Sequence, residues 1–274
     1  MAAFSRRYGR NRAAVLGLCI LGGVVLLALA APWISPGSPF RLAGKPLSPP
    51  FGEYLFGTDT LGRDVAAGIT HGARTSLLIG LVATAMAVAA GIVLGGLAGF
   101  YGGIVDDLLM RVTEFFQTIP AFLFAIVLVA VLGSSLSSTV IAITVVSWPA
   151  VARLVRGEFL GMRRRDFVQA CIGLGMPDAR IIFRHILPNC LAPIIVLASL
   201  MVATAILIES GLSFLGLSDP NVMSWGFQVG AGRGVLRVAW WLCAIPGVAI
   251  LLTVLAINLV GEGLNDALNP RLRR

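Results

Sequence analysis

Apolar and polar stretches alternate along this chain in blocks longer than a soluble fold requires. Runs almost free of charge occupy residues 13–34, 75–100, 115–132, 139–152, 191–217 and 238–260. A helix crossing a bilayer needs about 20 apolar residues. The pattern therefore predicts an all-α, polytopic membrane protein with six transmembrane helices, the fourth a shorter one containing Trp148-Pro149. Pro120 is expected to kink the third span, because proline removes a backbone donor and crowds the preceding turn. In the second span Ala83, Ala87, Gly91, Gly95 and Gly99 recur at every fourth position. Small residues on one face let helices approach closely in lipid, so Gly91, Gly95 and Gly99 are expected to form a packing seam, within the subunit or against a partner.

The polar interruptions carry the remaining signals. Residues 35–74 hold Pro36, Pro39, Pro46, Pro49 and Pro50 and read as an outer loop. Within it Asp59, Arg63 and Asp64 are placed to form a local ion cluster, with Gly57 and Gly62 supplying turns; a solvated loop with ordinary surface charges would look the same. Asp107, Arg111 and Glu114 fall at i, i+4 and i+7, which suggests a structural ion cluster at the entry to the third span, with a role in transport as the alternative. Glu209 is the one acid well inside a late apolar run. Charge is costly in lipid, so Glu209 is expected to face the bundle interior, water or a partner, as a structural or pathway-lining group. Residues 219–237 read as a second outer loop.

The longest polar interruption of the second half, DFVQACIGLGMPDARIIFRHILPN at 166–189, reads as two short helices around a break. Asp166 and Gln169 resemble a capping box, and Phe167, Cys171 and Leu174 would share a face. Gly175 suits a left-handed helix end and Pro177-Asp178 a new start. Ile181, Ile182, His185 and Ile186 would stripe the second helix until Pro188 stops it. A helical knuckle of this kind serves for docking; an ordinary connecting loop is the plainer reading.

Composition agrees with membrane residence: 57% of the 274 residues are hydrophobic and 12% charged, about half the charge of a soluble domain. The formal net charge of +8 would suggest nucleic acid in a soluble protein, but here the arginines flank apolar runs. Placing the N-terminus, the 101–114 turn, the 153–189 segment and the C-terminal tail in the cytoplasm puts 15 of the 21 Lys+Arg inside. That bias predicts both termini cytoplasmic and removes the need for a nucleic-acid partner. The first apolar run exceeds the usual h-region of a signal peptide, about 7–15 residues, and is expected to be an uncleaved anchor; Arg6-Arg7 makes only a weak twin-arginine match. Cys19, Cys171, Cys190, Cys243, His71 and His185 are scattered, without metal-ligand or disulfide spacing. The single lysine, Lys45, precedes a proline, so the chain holds no G-K-[ST] phosphate loop and any ATP hydrolysis belongs elsewhere. An ion-coupled secondary transporter would place several ionisable groups near the midplane, whereas Glu209 has no intramembrane Asp, His or Lys companion. A membrane-embedded hydrolase would need His inside a span, and neither histidine falls in an expected one.

The knuckle resembles the EAA loop of permease subunits in ATP-binding-cassette importers. Gln169-Ala170-Cys171, Gly175 and His185-Ile186-Leu187-Pro188 keep its spacing. Glutamine replaces the motif's glutamate, so an ionic role is not carried over, although a capping role is. FGTDTLGRDV in the first outer loop, ESGLSFLGL at 209–217 and NLVGEGLNDALNPRLR at 258–273 are similar to signatures of the dipeptide/oligopeptide/nickel branch, specifically its C-type subunit. The resemblance implies a type I importer fold in a bacterial cytoplasmic (inner) membrane. It implies an N-terminal unit at 1–74 (cytoplasmic segment, first helix and outer loop) and a five-helix permease core at 75–274 with its coupling helix at 166–188. It implies a homologous B-type permease subunit, two ATPases that bind ATP and Mg, and an extracytoplasmic binding protein, with no cofactor on this chain. The coupling residues would be Gln169, Ala170, Cys171, Gly175, His185, Leu187 and Pro188, and the outer-loop signature Gly57, Asp59, Gly62, Arg63 and Asp64. Peptides are the implied cargo, with nickel, haem or another small solute as alternatives.

Overall fold

The computed structural model describes Tyr8 and residues 11–268; the arginines at positions 6, 7, 10, 271, 273 and 274, and the motif beyond residue 268, lie outside them. Nine helices follow in order among the described residues: α1 (Arg12–Ile34), α2 (Val65–Tyr101), α3 (Gly103–Thr118), α4 (Ala121–Leu132), α5 (Leu136–Arg163), α6 (Asp166–Gly173), α7 (Asp178–Phe214), α8 (Trp225–Gly232) and α9 (Trp241–Leu268). Five of them, α1, α2, α5, α7 and α9, are long and apolar enough to cross a membrane. The pair α3 and α4, bent by 86° at its break, makes a sixth span if taken together.

The helices outrun the apolar runs that announce them. α2 begins ten residues before the expected position 75, because Asp64 caps it by accepting from the Ala66 amide at 2.9 Å. His71 thus lies inside this helix, where its Nε2 meets the Ser35 carbonyl at 2.9 Å and ties the start of α2 to the end of α1. α5 runs through Pro149 and past Arg153 to Arg163. The second outer loop is partly helical, as α8. α2 ends at Gly102 (φ +68°) and α3 starts at Gly103 (φ +54°), two left-handed positions that glycine adopts without a Cβ penalty. Pro120 does more than kink the third span: it stands at the N-cap of α4, and the chain turns there.

Contacts at the helix ends sort the chain into two faces. Asn11 donates to Asp266 Oδ2 at 3.1 Å, which brings the start of α1 beside the end of α9. Asp219 Oδ2 accepts from the Leu136 amide, joining the start of α5 to the segment after α7. Trp241 Nε1 donates to the Thr58 carbonyl, joining the first outer loop to the start of α9. One face therefore carries both described ends, the α2–α3 turn and the knuckle. The opposite face carries 35–64, the α4–α5 turn and α8. Two buried clusters fill the bundle. One gathers Trp148, Val155, Phe159, Val168, Ile181 and Ile186 beneath the knuckle. The other gathers Val65, Ile69, Trp225, Trp241 and Leu242 beneath the outer loops.

Candidate functional site

α6 is tied down at its first turn. Its N-cap is Arg165, not Asp166, and Gln169 Nε2 donates to the Arg163 carbonyl at 2.7 Å, so the expected capping box does not form. Gln169 instead closes the connection from α5 by satisfying a carbonyl at that helix's end. Val168 and Cys171 are the buried residues of α6, while Phe167 and Leu174 point to solvent beside exposed Ala170. The anchoring face is thus Val168–Cys171 rather than Phe167–Cys171–Leu174. Gly175 has φ +70° with nothing within 4 Å of a hypothetical Cβ, and the Met176 amide bonds back to the Cys171 carbonyl at 3.2 Å. That is a Schellman-type ending, which depends on backbone conformation and not on crowding.

The second helix does not stop at Pro188. Its first turn passes into a π-helical stretch, Ile181–Ile186, where the Leu187 amide bonds to the Ile182 carbonyl five residues back. The wider turn buries Ile181 and Ile186, five residues apart, and leaves His185 and Leu187 half-buried and Pro188 exposed. Proline has no amide to give, so the register shift lets it be absorbed without a break. Asn189 Nδ2 then donates to the His185 carbonyl at 2.7 Å. From Asp178 onward the second half of the knuckle and the span are therefore one continuous helix of 37 residues, about 55 Å at 1.5 Å per residue.

The far end of that helix is fastened by Glu209. Its Oε1 accepts from Ser213 Oγ at 2.9 Å and from Ser224 Oγ at 2.6 Å, and the residue is 3% exposed. Ser224 caps α8 by accepting from the Phe227 amide at 3.0 Å, so Glu209 sits at the helix's positive end. α8 lies close because it carries no side chain where it touches α7: a Cβ on Gly226 would come 2.7 Å from Ser210 Cα, and one on Gly230 would meet the Ser213 carbonyl. Trp225, 1% exposed, donates from Nε1 to the Ile69 carbonyl at 3.0 Å and carries the contact on to α2. Glu209 thus faces the bundle interior, one of the three surroundings the sequence left open. Its serine partners were not foreseen, though the spacing of Gly226 and Gly230 was a readable hint.

The seam glycines face α5. Hypothetical Cβ atoms on Gly91 and Gly95 would collide with Val151 and the Ala152 carbonyl, and one on Gly99 would lie 2.6 Å from Phe159 Cβ. The seam is therefore internal to the chain. Asp107, Arg111 and Glu114 are exposed and form no ion pair with one another. Instead Asp106 grips Arg156 through two bonds of 2.5 and 2.6 Å, clamping α3 to α5. In the outer loop Asp59 Oδ1 accepts from the Leu61 and Arg63 amides at 2.8 Å, while its Oδ2 lies 4.0 Å from Arg63 Nε. Gly57 (φ +76°) and Gly62 (φ +81°) make the turns. Asp64 is spent on capping α2, so the cluster expected of three charges is a loop lock built on Asp59.

Comparison with known proteins agrees with this architecture. Residues 91–274 match the family described as binding-protein-dependent transport system inner membrane component, and residues 2–50 match the N-terminal transmembrane domain of oligopeptide transport permease C. The chain is 45% identical to a protein of Brucella abortus named as a peptide transport system permease, over 98% of this chain and 91% of that one. It is 42% identical to the di/tripeptide transport system permease protein of Pseudomonas aeruginosa, over 98% and 92% of the two chains. Among solved structures it superposes on the MetNI methionine ABC transporter, captured inward facing, with TM-score 0.61 and 17% identity, covering 74% of this chain and 96% of that one. That likeness fixes the fold as that of a type I importer permease. With two thirds of its length inside one family model, the chain belongs to the binding-protein-dependent transport system inner membrane components, the membrane partners of ATPases and not ATPases themselves.

Proposed function

We propose that this chain forms half of the translocation pathway of an ATP-driven peptide importer and receives its driving force through residues 166–188. The observation that carries the reading is the continuity of α7: one helix leads from the second half of the knuckle, past the Gly175 turn, to the Glu209 fastening at the opposite face. A displacement imposed on the start of α7 would reach α8 along a single helix. The peptide cargo is favoured by the names of the relatives.

On this reading the face bearing the knuckle and both described ends is cytoplasmic, in keeping with its arginines. Leu174, 76% exposed, and Phe167 offer an apolar surface to an ATPase groove, with Gln169, Ala170, Cys171, Gly175, His185, Leu187 and Pro188 shaping it. A homologous B-type subunit completes the pore. An extracytoplasmic binding protein delivers cargo to the face carrying residues 35–64 and α8. Residues 1–74 form an accessory unit around the core at 75–274. Nucleotide closes the ATPases and biases the bundle between two arrangements, opening alternately to each side. Reconstitution of the chain with its copurifying partners tests this: dipeptide uptake should require ATP and the binding protein. Uptake driven by an ion gradient and indifferent to ATP would overturn it.

A further inference from the structure

We propose that the cavity between α2, the start of α5 and the two outer loops is a phospholipid site, with the lipid's phosphate on Arg74 and one acyl chain laid along the exposed stripe of α2 beyond it.

Three apolar runs end together at this cavity, which fixes its depth. α1 stops at Ile34, and the carbonyl of the next residue, Ser35, meets His71 Nε2 at 2.9 Å. Arg74, within a turn of His71, is the last charge before the uncharged run 75–100. α5 begins at Leu136 and carries no charge before Arg153. The run 75–100 measures about 39 Å at 1.5 Å per residue, more than the hydrocarbon core of about 30 Å, so Arg74 stands at headgroup level. His71, Arg74 and Leu136 all line the cavity, whose volume is about 400 Å³. Small-molecule sites occupy about 300–1,000 Å³.

No Asp or Glu lines this cavity. Asp219, the acid of the adjoining segment, has both oxygens engaged by backbone amides of the walls: Oδ1 accepts from Asn221 at 2.9 Å and Oδ2 from Leu136 at 3.3 Å. Arg74 is exposed and belongs to neither of the two ion pairs among the described residues, and its guanidinium has no hydrogen-bond partner among them. Across the cavity Phe40 is held edge-on against Phe227 of α8, with ring centroids 5.8 Å apart. An arginine fork left free at headgroup level matches a phosphodiester through paired N–H···O bonds.

Beyond Arg74 the surface of α2 changes character. Leu78, which also lines the cavity, is 46% exposed, and Leu81, Val82, Ala85 and Met86 continue the exposed stripe. No exposed residue of α2 between 75 and 90 is polar. From Arg74 to Met86 the rise is about 18 Å, close to the depth of one leaflet's hydrocarbon, about 15 Å. The wall of an aqueous pathway would carry polar groups; this stripe suits an acyl chain, which is as apolar as leucine. A helix of a second subunit would fit the stripe too, but it would have to bring a carboxylate to Arg74. A phospholipid carries anion and chain in one molecule.

The test uses the complete transporter, reconstituted with its copurifying partners into vesicles containing a photoreactive phosphatidylglycerol with a diazirine midway along one acyl chain. After irradiation and digestion, adducts should map to residues 78–86. A diacylglycerol probe with the same chains and no phosphate should give about tenfold fewer there, since it lacks the charge-assisted bonds to Arg74. Both probes are compared on the parent chain, so this result does not depend on how a variant folds. Excess inorganic phosphate should leave the adducts in place. Arg74→Gln should lower them to the diacylglycerol level, and Arg74→Lys, which keeps the charge, should restore most of the yield. Equal labelling by the two probes, equal labelling of the parent and Arg74→Gln, or displacement by inorganic phosphate would overturn the proposal. So would the lack of adducts at 78–86 while other exposed helices are labelled, which would put a protein partner on the stripe instead.

Discussion

Ser224 donates its hydroxyl hydrogen to Glu209 Oε1 across 2.6 Å, and through that bond the cap of α8 is held by the outer end of α7. A carboxylate buried among serines, next to a helix start, is a fastening that remains satisfied only while both helices keep their places.

Replacing Glu209 with leucine should leave Ser224 and Ser213 without their acceptor. The expected cost is about 1–3 kcal/mol for stranded buried hydroxyls, read as earlier thermal aggregation in detergent and weaker ATP-dependent uptake. Glu209→Gln keeps an acceptor oxygen and should recover most of the stability. Equal damage from both variants would mean that the hydrogen bonds are not what Glu209 supplies.

At the seam, Gly95→Ala would drive a methyl group into the Ala152 carbonyl. Overpacking of this kind costs about 1–3 kcal/mol, so folded yield should fall. Gly23→Ala in α1, where nothing lies within 4 Å, should be neutral. Thermal scans of the two purified variants against the parent chain check the contrast.

The clamp between α3 and α5 invites a charge-reversal experiment. Asp106→Asn should destabilise by about 1–3 kcal/mol, below the cost of breaking a fully buried pair, since the Arg156 side chain is 36% exposed. Asp106→Arg combined with Arg156→Asp should recover part of that loss. A double variant no better than the sum of its singles would show that the pair is not coupled.

Gly175 is held at φ +70° in open space. A β-branched residue there is strained by its backbone alone, so Gly175→Val should reshape the knuckle tip while sparing membrane insertion. Copurification of the ATPases should drop sharply. Gly175→Asn, which tolerates the left-handed region, should retain it.

Much of this architecture is legible in the residue order, because lipid imposes a long apolar run on every crossing helix. The break at Pro120, the positive φ at Gly175 and the seam at Gly91, Gly95 and Gly99 follow from local chemistry. What stays hidden is whatever depends on a distant partner. Asp106 is one residue away from the i, i+4, i+7 stripe that looks like an ion cluster, yet of these charges it is the one that hydrogen-bonds to α5, and only the packing of α3 on α5 selects it. Glu209 has visible companions in Ser210 and Ser213, but Ser224 comes to it through a loop. α2 starts early because Asp64 caps it, although His71 and Arg74 make its first turns read as loop. The π-helical stretch escapes for a different reason: Pro188 signals a helix end in sequence, and a five-residue hydrogen bond absorbs it.

The central claim, that force enters at the knuckle, is tested most directly by crosslinking from its tip. With Leu174→Cys in the assembled transporter and a short bifunctional thiol–amine reagent, the account predicts a covalent product with one ATPase subunit, its yield changing between nucleotide-free and ATP-trapped complexes. A product with the extracytoplasmic binding protein, or no product with either ATPase in any nucleotide state, would contradict it.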